Sequence, residues 1–152
     1  MKKLYLAYGS NLNVEQMKFR CPGAKVIGTA AIRNYELLFK GSRSGSYLTI
    51  EHKRGGKVPV AVWEVTPENE RALDRYEGYP TFYYKKSMTI NVELTNGKTE
   101  KRTAFVYIMH EDRPLGRPSG IYVQTCLDGY KAFGFNQRFI NNAIERSVDH
   151  EE

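Results

Sequence analysis

Cysteine is scarce in this chain. Cys21 and Cys126 are the only two, too few and too far apart to form a recognisable disulfide framework, so a reducing cytoplasm is the expected compartment. Histidine is nearly as sparse: His52, His110 and His150 stand in no ligand spacing with one another or with the cysteines, which argues against a Cys/His metal centre. No apolar run approaches the ~18 residues of a membrane span. The apolar start Leu4–Tyr8 stops at Gly9-Ser10-Asn11, short of the roughly 7-residue core of an export signal, so none is expected. Repeats, low-complexity tracts and linkers are also lacking, and 152 residues fit a single domain, expected over 1–152. A glycine-rich phosphate-binding fingerprint is missing, as is the Gly-x-Ser-x-Gly context of a serine nucleophile.

Charge is present but diffuse. The chain has 23 Lys+Arg against 17 Asp+Glu, for a net +6. Its basic clusters, Lys53-Arg54, Lys85-Lys86 and Lys101-Arg102, are each interrupted at once. A nucleic-acid binder concentrates such charge on one stripe. The 11 Tyr, 7 Phe and 1 Trp offer stacking platforms, yet aromatics in strands serve first as core. A basic surface suits small carboxylate ligands equally well.

Along the chain, Lys3–Tyr8 reads as a buried strand. Asn13 caps a short helix through Arg20 that Pro22-Gly23 stops. The stretch Lys25–Tyr47 is β-branched and aromatic, interrupted by the polar segment Gly41–Ser46, which reads as a flexible connection or, as a second option, a lid. Tyr47–His52 and Val58–Val65 read as two strands around an Arg54-Gly55-Gly56-Lys57 hairpin turn. Thr66-Pro67 opens a helix that Gly78 and Pro80 close. Met88, Ile90, Val92 and Leu94 alternate with polar residues, and Asn96-Gly97 turns the chain into a return strand ending at Met109. A loop, Glu111–Pro118, precedes a helix capped by Ser119 and closed by Gly134, and Asn136 opens the last helix. Strands dominate, with about six expected and helices placed midway and at the end. That order is α+β, and a closed or partly open mixed β-barrel with flanking helices would hide the strand edges.

Two segments carry chemical possibilities. In Tyr8-Gly9-Ser10-Asn11-Leu12 a strand runs directly into a turn, which exposes successive backbone amides able to hold an anion or a developing oxyanion. Ser10 and Asn11 add side-chain donors; the same residues also make an ordinary turn and helix cap. On the helix from Pro67 to Glu77, Ala72, Leu73 and Tyr76 form the apolar stripe, with Glu70, Asp74 and Glu77 as an acidic row beside it. Glu77, last before Gly78, would have its pKa raised by the negative helix end and by like charges, with partial burial adding to both. The plain alternative is a solvated acidic face shared with Arg71 and Arg75. Glu64 is a weaker candidate, because strand alternation turns it outward. Cys21 and Cys126 read as small hydrophobes, and His52 and His110 as surface residues.

Read together, Tyr8-Gly9-Ser10-Asn11-Leu12 and Leu73-Asp74-Arg75-Tyr76-Glu77-Gly78 resemble the γ-glutamylcyclotransferase-like family, which includes AIG2-like proteins and γ-glutamylamine cyclotransferases. Val60–Val65 before the helix, Tyr83-Tyr84 after it and Ser119-Gly120-Ile121-Tyr122 extend the likeness over nearly the whole chain. The resemblance implies a small β-barrel with flanking helices. It implies an enzyme that cyclises the γ-glutamyl group of an amino acid or amine to 5-oxoproline and releases the amine. It assigns Glu77 as general acid/base and Tyr8, Gly9, Ser10, Asn11 and Leu12 as the γ-glutamyl-binding loop. Tyr122 takes the place of a pocket tyrosine, and Tyr107 and Tyr84 are looser matches. No metal, nucleotide or redox cofactor is implied, and the expected partner is a small γ-glutamyl molecule, with neither nucleic acid nor membrane. Two other readings stand beside it: a non-catalytic protein that binds γ-glutamyl or carboxylate ligands, and a basic nucleic-acid-binding module.

Overall fold

In the computed structural model, which describes residues 1–42 and 45–148, the β-branched and aromatic segments form five strands: β1 (Lys3–Ala7), β2 (Lys25–Ser42), β3 (Gly45–Val65), β4 (Tyr83–Leu94) and β5 (Thr99–Met109). They close a barrel in the order β1-β3-β2-β4-β5. Every pairing is antiparallel except β1 with β5, which is parallel at Tyr5 and Phe105. Closure leaves no long unpaired edge on the short β1. Inward-facing Leu37, Phe39, Ile50, Val60, Val62, Val106 and Ile108 are buried and fill the core.

The count of five instead of six has one cause. No hairpin forms at Arg54–Lys57, because β3 runs through it: Arg33 pairs with Lys57 and Tyr35 with His52. The intervening Lys53–Gly56 therefore stand opposite Asn34 alone, as a large bulge. Gly55 (φ 81°) and Asn34 (φ 66°) supply the left-handed backbone, and the Gly55 amide donates to Asn34 Oδ1 at 3.1 Å. The glycines thus serve a bulge and not a reversal. The polar segment Gly41–Ser46, expected as a flexible connection or a lid, is strand at its described residues, with Gly41 opposite Ser46 and Ser42 opposite Gly45; residues 43–44 lie outside the described residues.

Four helices flank the barrel: α1 (Val14–Arg20), α2 (Pro67–Glu77), α3 (Gly120–Phe133) and α4 (Arg138–Val148). Asn13 caps α1 by accepting from the Gln16 amide, and Ser119 caps α3 through the Tyr122 amide. Thr66 and Asn69 cap α2 reciprocally, with Pro67 in its first turn. At its other end Gly78 is left-handed (φ 66°) and the Tyr79 amide donates to Asp74 O at 2.9 Å, a closure that fixes where Glu77 stands. Gly129 lets α3 approach the turn after β1, since a Cβ there would lie 2.6 Å from the Leu12 carbonyl carbon. On α4, Ser147 Oγ accepts from the Phe39 amide at 2.8 Å and anchors the helix on β2.

Candidate active site

Where β1 ends, the chain tightens into a single 3₁₀ turn over Ser10–Leu12. The Leu12 amide donates to Gly9 O and the Asn13 amide to Ser10 O, both at 3.0 Å. The amides of Ser10 and Asn11 precede the first of these bonds, so the turn itself gives them no partner. Close by, the last residue of α2 is Glu77, one helical turn beyond the fully buried Leu73 that seats this helix on the barrel. Both segments line one cavity of about 250 Å³, together with Tyr5, Tyr8, Tyr47, Leu48, Tyr76, Phe82, Tyr83, Tyr107 and Tyr122. That volume is just below the ordinary range for small-molecule sites.

Glu77 is part-buried, and among the described residues no side chain or backbone group donates to its carboxyl or pairs with it. Loss of water around the carboxyl pushes its pKa up to about 8, with the Arg20 guanidinium pulling the other way. The cause differs from the sequence expectation: burial does the raising, and no like charge contributes. The other two acids of the row are elsewhere engaged. Glu70 pairs with Lys85 at 2.7 Å and Lys3 at 3.1 Å; burial would raise its pKa, but the hydrogen bonds from these lysines hold it below the usual range. Asp74 pairs with Lys85 at 3.1 Å and accepts from Tyr107 Oη at 2.6 Å. Five phenols, those of Tyr5, Tyr8, Tyr83, Tyr107 and Tyr122, are raised by burial and further by the charge of Glu77, so all stay protonated.

The structure brings Glu77, Tyr8, Gly9, Ser10, Asn11, Tyr107 and Tyr122 to one cavity. Gly9 makes room there: a Cβ would meet Tyr122 Oη at 3.3 Å. Tyr122 Oη accepts from the Leu48 amide at 3.1 Å, and Tyr8 Oη donates to Tyr107 O at 2.7 Å. Two expected residues fall outside. Leu12 is fully buried against Gly129 and is not part of the cavity wall. Tyr84 lies on the opposite face of β4 from Tyr83, the face of Ile108 on β5, bonded to Glu111 and beside His110. The side chains of Ser10 and Asn11 are also committed within the protein: Ser10 Oγ lies 2.9 Å from Tyr76 Oη, and Asn11 Nδ2 donates to Tyr5 Oη at 2.8 Å. The backbone of the turn, and not these side chains, is what remains for a ligand.

Several cavity residues escape a reading by motif: Tyr5, Tyr47, Leu48, Phe82 and Tyr83. Tyr83 was accessible through register. The Asn96-Gly97 turn sets Glu93 opposite Thr99 and carries Tyr107 opposite Lys85, so Tyr83 shares the face of Tyr107, and Tyr84 points the other way. The remaining candidates behave as structural groups. Burial raises the thiols of Cys21 and Cys126 to about 11 and about 12, and both are free. Glu64 points outward to Lys2 at 3.5 Å, and His110 Nε2 meets Pro80 O at 2.7 Å. No helix is long and apolar enough to cross a membrane among the described residues.

Comparison with known proteins agrees with this architecture. Residues 5–124 match the family described as "Gamma-glutamyl cyclotransferase, AIG2-like". The human gamma-glutamylcyclotransferase is 30% identical over 140 residues, covering 86% of this chain and 71% of its own length. The mouse protein of the same name is 30% identical over 145 residues, covering 90% and 74%. A solved structure named gamma-glutamyl cyclotransferase superimposes with a TM-score of 0.77 at 26% identity, covering 94% of this chain and 86% of that one. The chain therefore belongs to the gamma-glutamyl cyclotransferase, AIG2-like family and is an enzyme of the cyclotransferase type.

Proposed function

We propose that this protein, acting as one domain in the cytoplasm, cyclises the γ-glutamyl group of a small γ-glutamyl amino acid or amine to 5-oxoproline and releases the amine. The α-nitrogen of the substrate attacks its own γ-carbonyl carbon. A new C–N bond closes the five-membered ring, and the original γ-amide C–N bond breaks. Both reacting groups sit in one molecule, so the first task of the cavity is to hold the chain folded for ring closure, a contribution of at most about 7–11 kcal/mol. The amides of Ser10 and Asn11, which have no hydrogen-bond partner among the described residues, hold the substrate carboxylate or the carbonyl oxygen as it gains charge, with Gly9 admitting close approach; one good oxyanion donor contributes about 3–4 kcal/mol. Glu77 takes a proton from the attacking nitrogen and returns one to the departing nitrogen. A carboxyl raised to about 8 is suited to move protons between nitrogens near neutral pH, an effect of about 10²–10⁴-fold. Tyr8, Tyr107 and Tyr122 shape the cavity around the γ-glutamyl chain.

The observation that carries this reading is that an acid without a protein partner among the described residues shares one cavity with the amides of the Gly9–Asn11 turn. The test is a panel of γ-glutamyl amino acids and γ-glutamyl amines incubated with the protein, with 5-oxoproline detected by mass. Glu77→Gln is expected to fold and to lose at least about 10²-fold in turnover. Saturable binding without product from the wild-type protein would replace the enzyme with a ligand-binding protein, and full turnover by Glu77→Gln would remove this carboxyl from the reaction.

A further inference from the structure

We propose that Arg20 is a positioning residue that ties the Ser10–Leu12 turn to the last turn of α2, and so fixes the Glu77 carboxyl relative to the turn's amides. This rests on the reading of Glu77 and the turn as the working site. Arg20 ends α1 and does not line the cavity; it stands behind it. Its Nη1 donates to Asn11 Oδ1 and its Nη2 to Gln16 Oε1 at 3.2 Å. The guanidinium lies over the Tyr76 ring, 3.4 Å from the centroid. Tyr76 Oη in turn meets Ser10 Oγ at 2.9 Å, and Asn11 Nδ2 holds Tyr5 Oη. The contacts close a circuit that runs from Arg20 to Asn11, along the turn to Ser10, to Tyr76 and back to Arg20. Its α2 corner is the residue immediately before Glu77.

The circuit needs a planar cation. A guanidinium lays its plane on a ring while its terminal nitrogens reach two acceptors in a fixed fork; an ammonium, a point charge on a flexible stem, lacks that planar geometry. Arg20 has a second effect on the same carboxyl, since its charge favours the ionised form of Glu77. Tyr47 on β3 and Tyr76 on α2 line the same cavity as Glu77, and the phenols that its charge reaches are those of Tyr5 on β1, Tyr8 after it, Tyr83 on β4, Tyr107 on β5 and Tyr122 on α3. Those five phenols are protonated near neutral pH, and Arg20 is the charge that acts on this carboxyl among the described residues.

The experiment compares wild type, Arg20→Gln, Arg20→Lys and Tyr76→Leu as full chains. The Glu77 carboxyl is titrated by ¹³C NMR, assigned by its loss in Glu77→Gln, and kcat and KM are measured against pH. Arg20→Gln is expected to move the Glu77 midpoint to higher pH and to lower kcat by about tenfold to a hundredfold, as misplacement of reacting groups does. Arg20→Lys keeps the midpoint but shares the loss in kcat, because charge is retained and the stacked fork is not. Tyr76→Leu, at a 44% exposed residue, removes the stack without touching the charge. It lowers kcat with the midpoint held, and it tests the circuit even if Arg20→Gln does not fold. A folded Arg20→Gln with wild-type kcat and an unmoved midpoint overturns the proposal, as does an unchanged kcat in Tyr76→Leu. If wild type forms no 5-oxoproline, the enzymatic reading fails by itself; the NMR midpoint in Arg20→Gln then decides the Arg20 coupling alone, a shift upholding it and no shift overturning it.

Discussion

Burial raises the Glu77 carboxyl to about 8, whereas in the unfolded chain it returns to the ordinary glutamate value of 4.5. Between these values the folded protein binds more protons than the unfolded one, so its stability must fall as pH rises. The contribution of protonated Glu77 is fully present below pH 4.5, declines through the interval and is gone above about 8. Replacing the carboxyl by a neutral amide removes the titration. Glu77→Gln is therefore expected to be more stable than wild type above pH 8 and to flatten that descending limb, which thermal denaturation over a series of pH values reads directly. A wild-type limb that persists unchanged in Glu77→Gln would assign the titration to another group. Activity runs the opposite way at this residue: the proton-accepting form is the carboxylate, so turnover of the wild type is expected to rise with pH through about 8. The resemblance carried by Tyr8–Leu12 together with Glu77-Gly78 pointed to Glu77, which the residues alone left open against a solvated acidic face. The cause of its altered acidity was not legible, because the aromatic walls around it come from five other parts of the chain.

At the scale of elements, the β4–β5 hairpin decides which tyrosines can touch a ligand. Its register places Tyr83 opposite Met109 and Tyr107 opposite Lys85, on the cavity side, with Tyr84 opposite Ile108 on the next position of each strand. Tyr107→Phe removes the 2.6 Å bond to Asp74 that orients the ring and is expected to reduce turnover, whereas Tyr84→Phe severs only the bond to Glu111 on the other face of β4. Steady-state kinetics and melting curves on both check this. Tyr84→Phe should match wild type in turnover and stay within about 0.5 kcal/mol in stability. The same hairpin shows what was legible beforehand. Asn96-Gly97 and the alternation from Met88 to Leu94 located both strands and, through the turn, their register. The Gly55-Gly56 signal misled because glycines mark bulges as well as reversals: Gly55 takes a left-handed φ of 81°, a Cβ on Gly56 would lie 2.4 Å from Tyr35 O, and the register of β2 sets Asn34 opposite all four residues, Lys53–Gly56. Helix caps at Asn13, Thr66 and Ser119 were readable because a cap is a contact between near neighbours. The packing of α3 on the turn through Gly129 was not, since its partner is over a hundred residues away.

The whole barrel is what makes one site from segments near residues 5–12, 77, 83, 107 and 122. Its closure rests on two narrow seams. One is the parallel contact of β1 with β5 at Tyr5 and Phe105, where the rings stack at 5.4 Å. The other joins β2 to β4 through Gly28–Leu94 and Thr29–Glu93, extended by a 3.0 Å bond from the Thr95 amide to Ile27 O. Past this seam, Ala30–Arg33 and Tyr35 on β2 separate from Lys86–Asn91 on β4 across an open groove, so neighbouring pairs give it no reinforcement. Gly28 is indispensable to it: a Cβ there would lie 2.2 Å from Glu93 O and 2.9 Å from its carbonyl carbon. The obstruction is backbone, not the end of a flexible side chain, and can be relieved only by moving β4 away from β2. Overpacking of this kind costs about 3 kcal/mol, which for a chain of this size lowers Tm by roughly 6–12 °C. Because β4 carries Tyr83 and pairs along its length with β5, which carries Tyr107, the displacement must reach the cavity wall. Gly28→Val is therefore expected to lose turnover beyond what its unfolded fraction explains, and to lose hydrogen-exchange protection first at the amides near Gly28 and Thr95. Wild-type Tm and protection in Gly28→Val would mean that the barrel holds its shape through β1 and β5 alone.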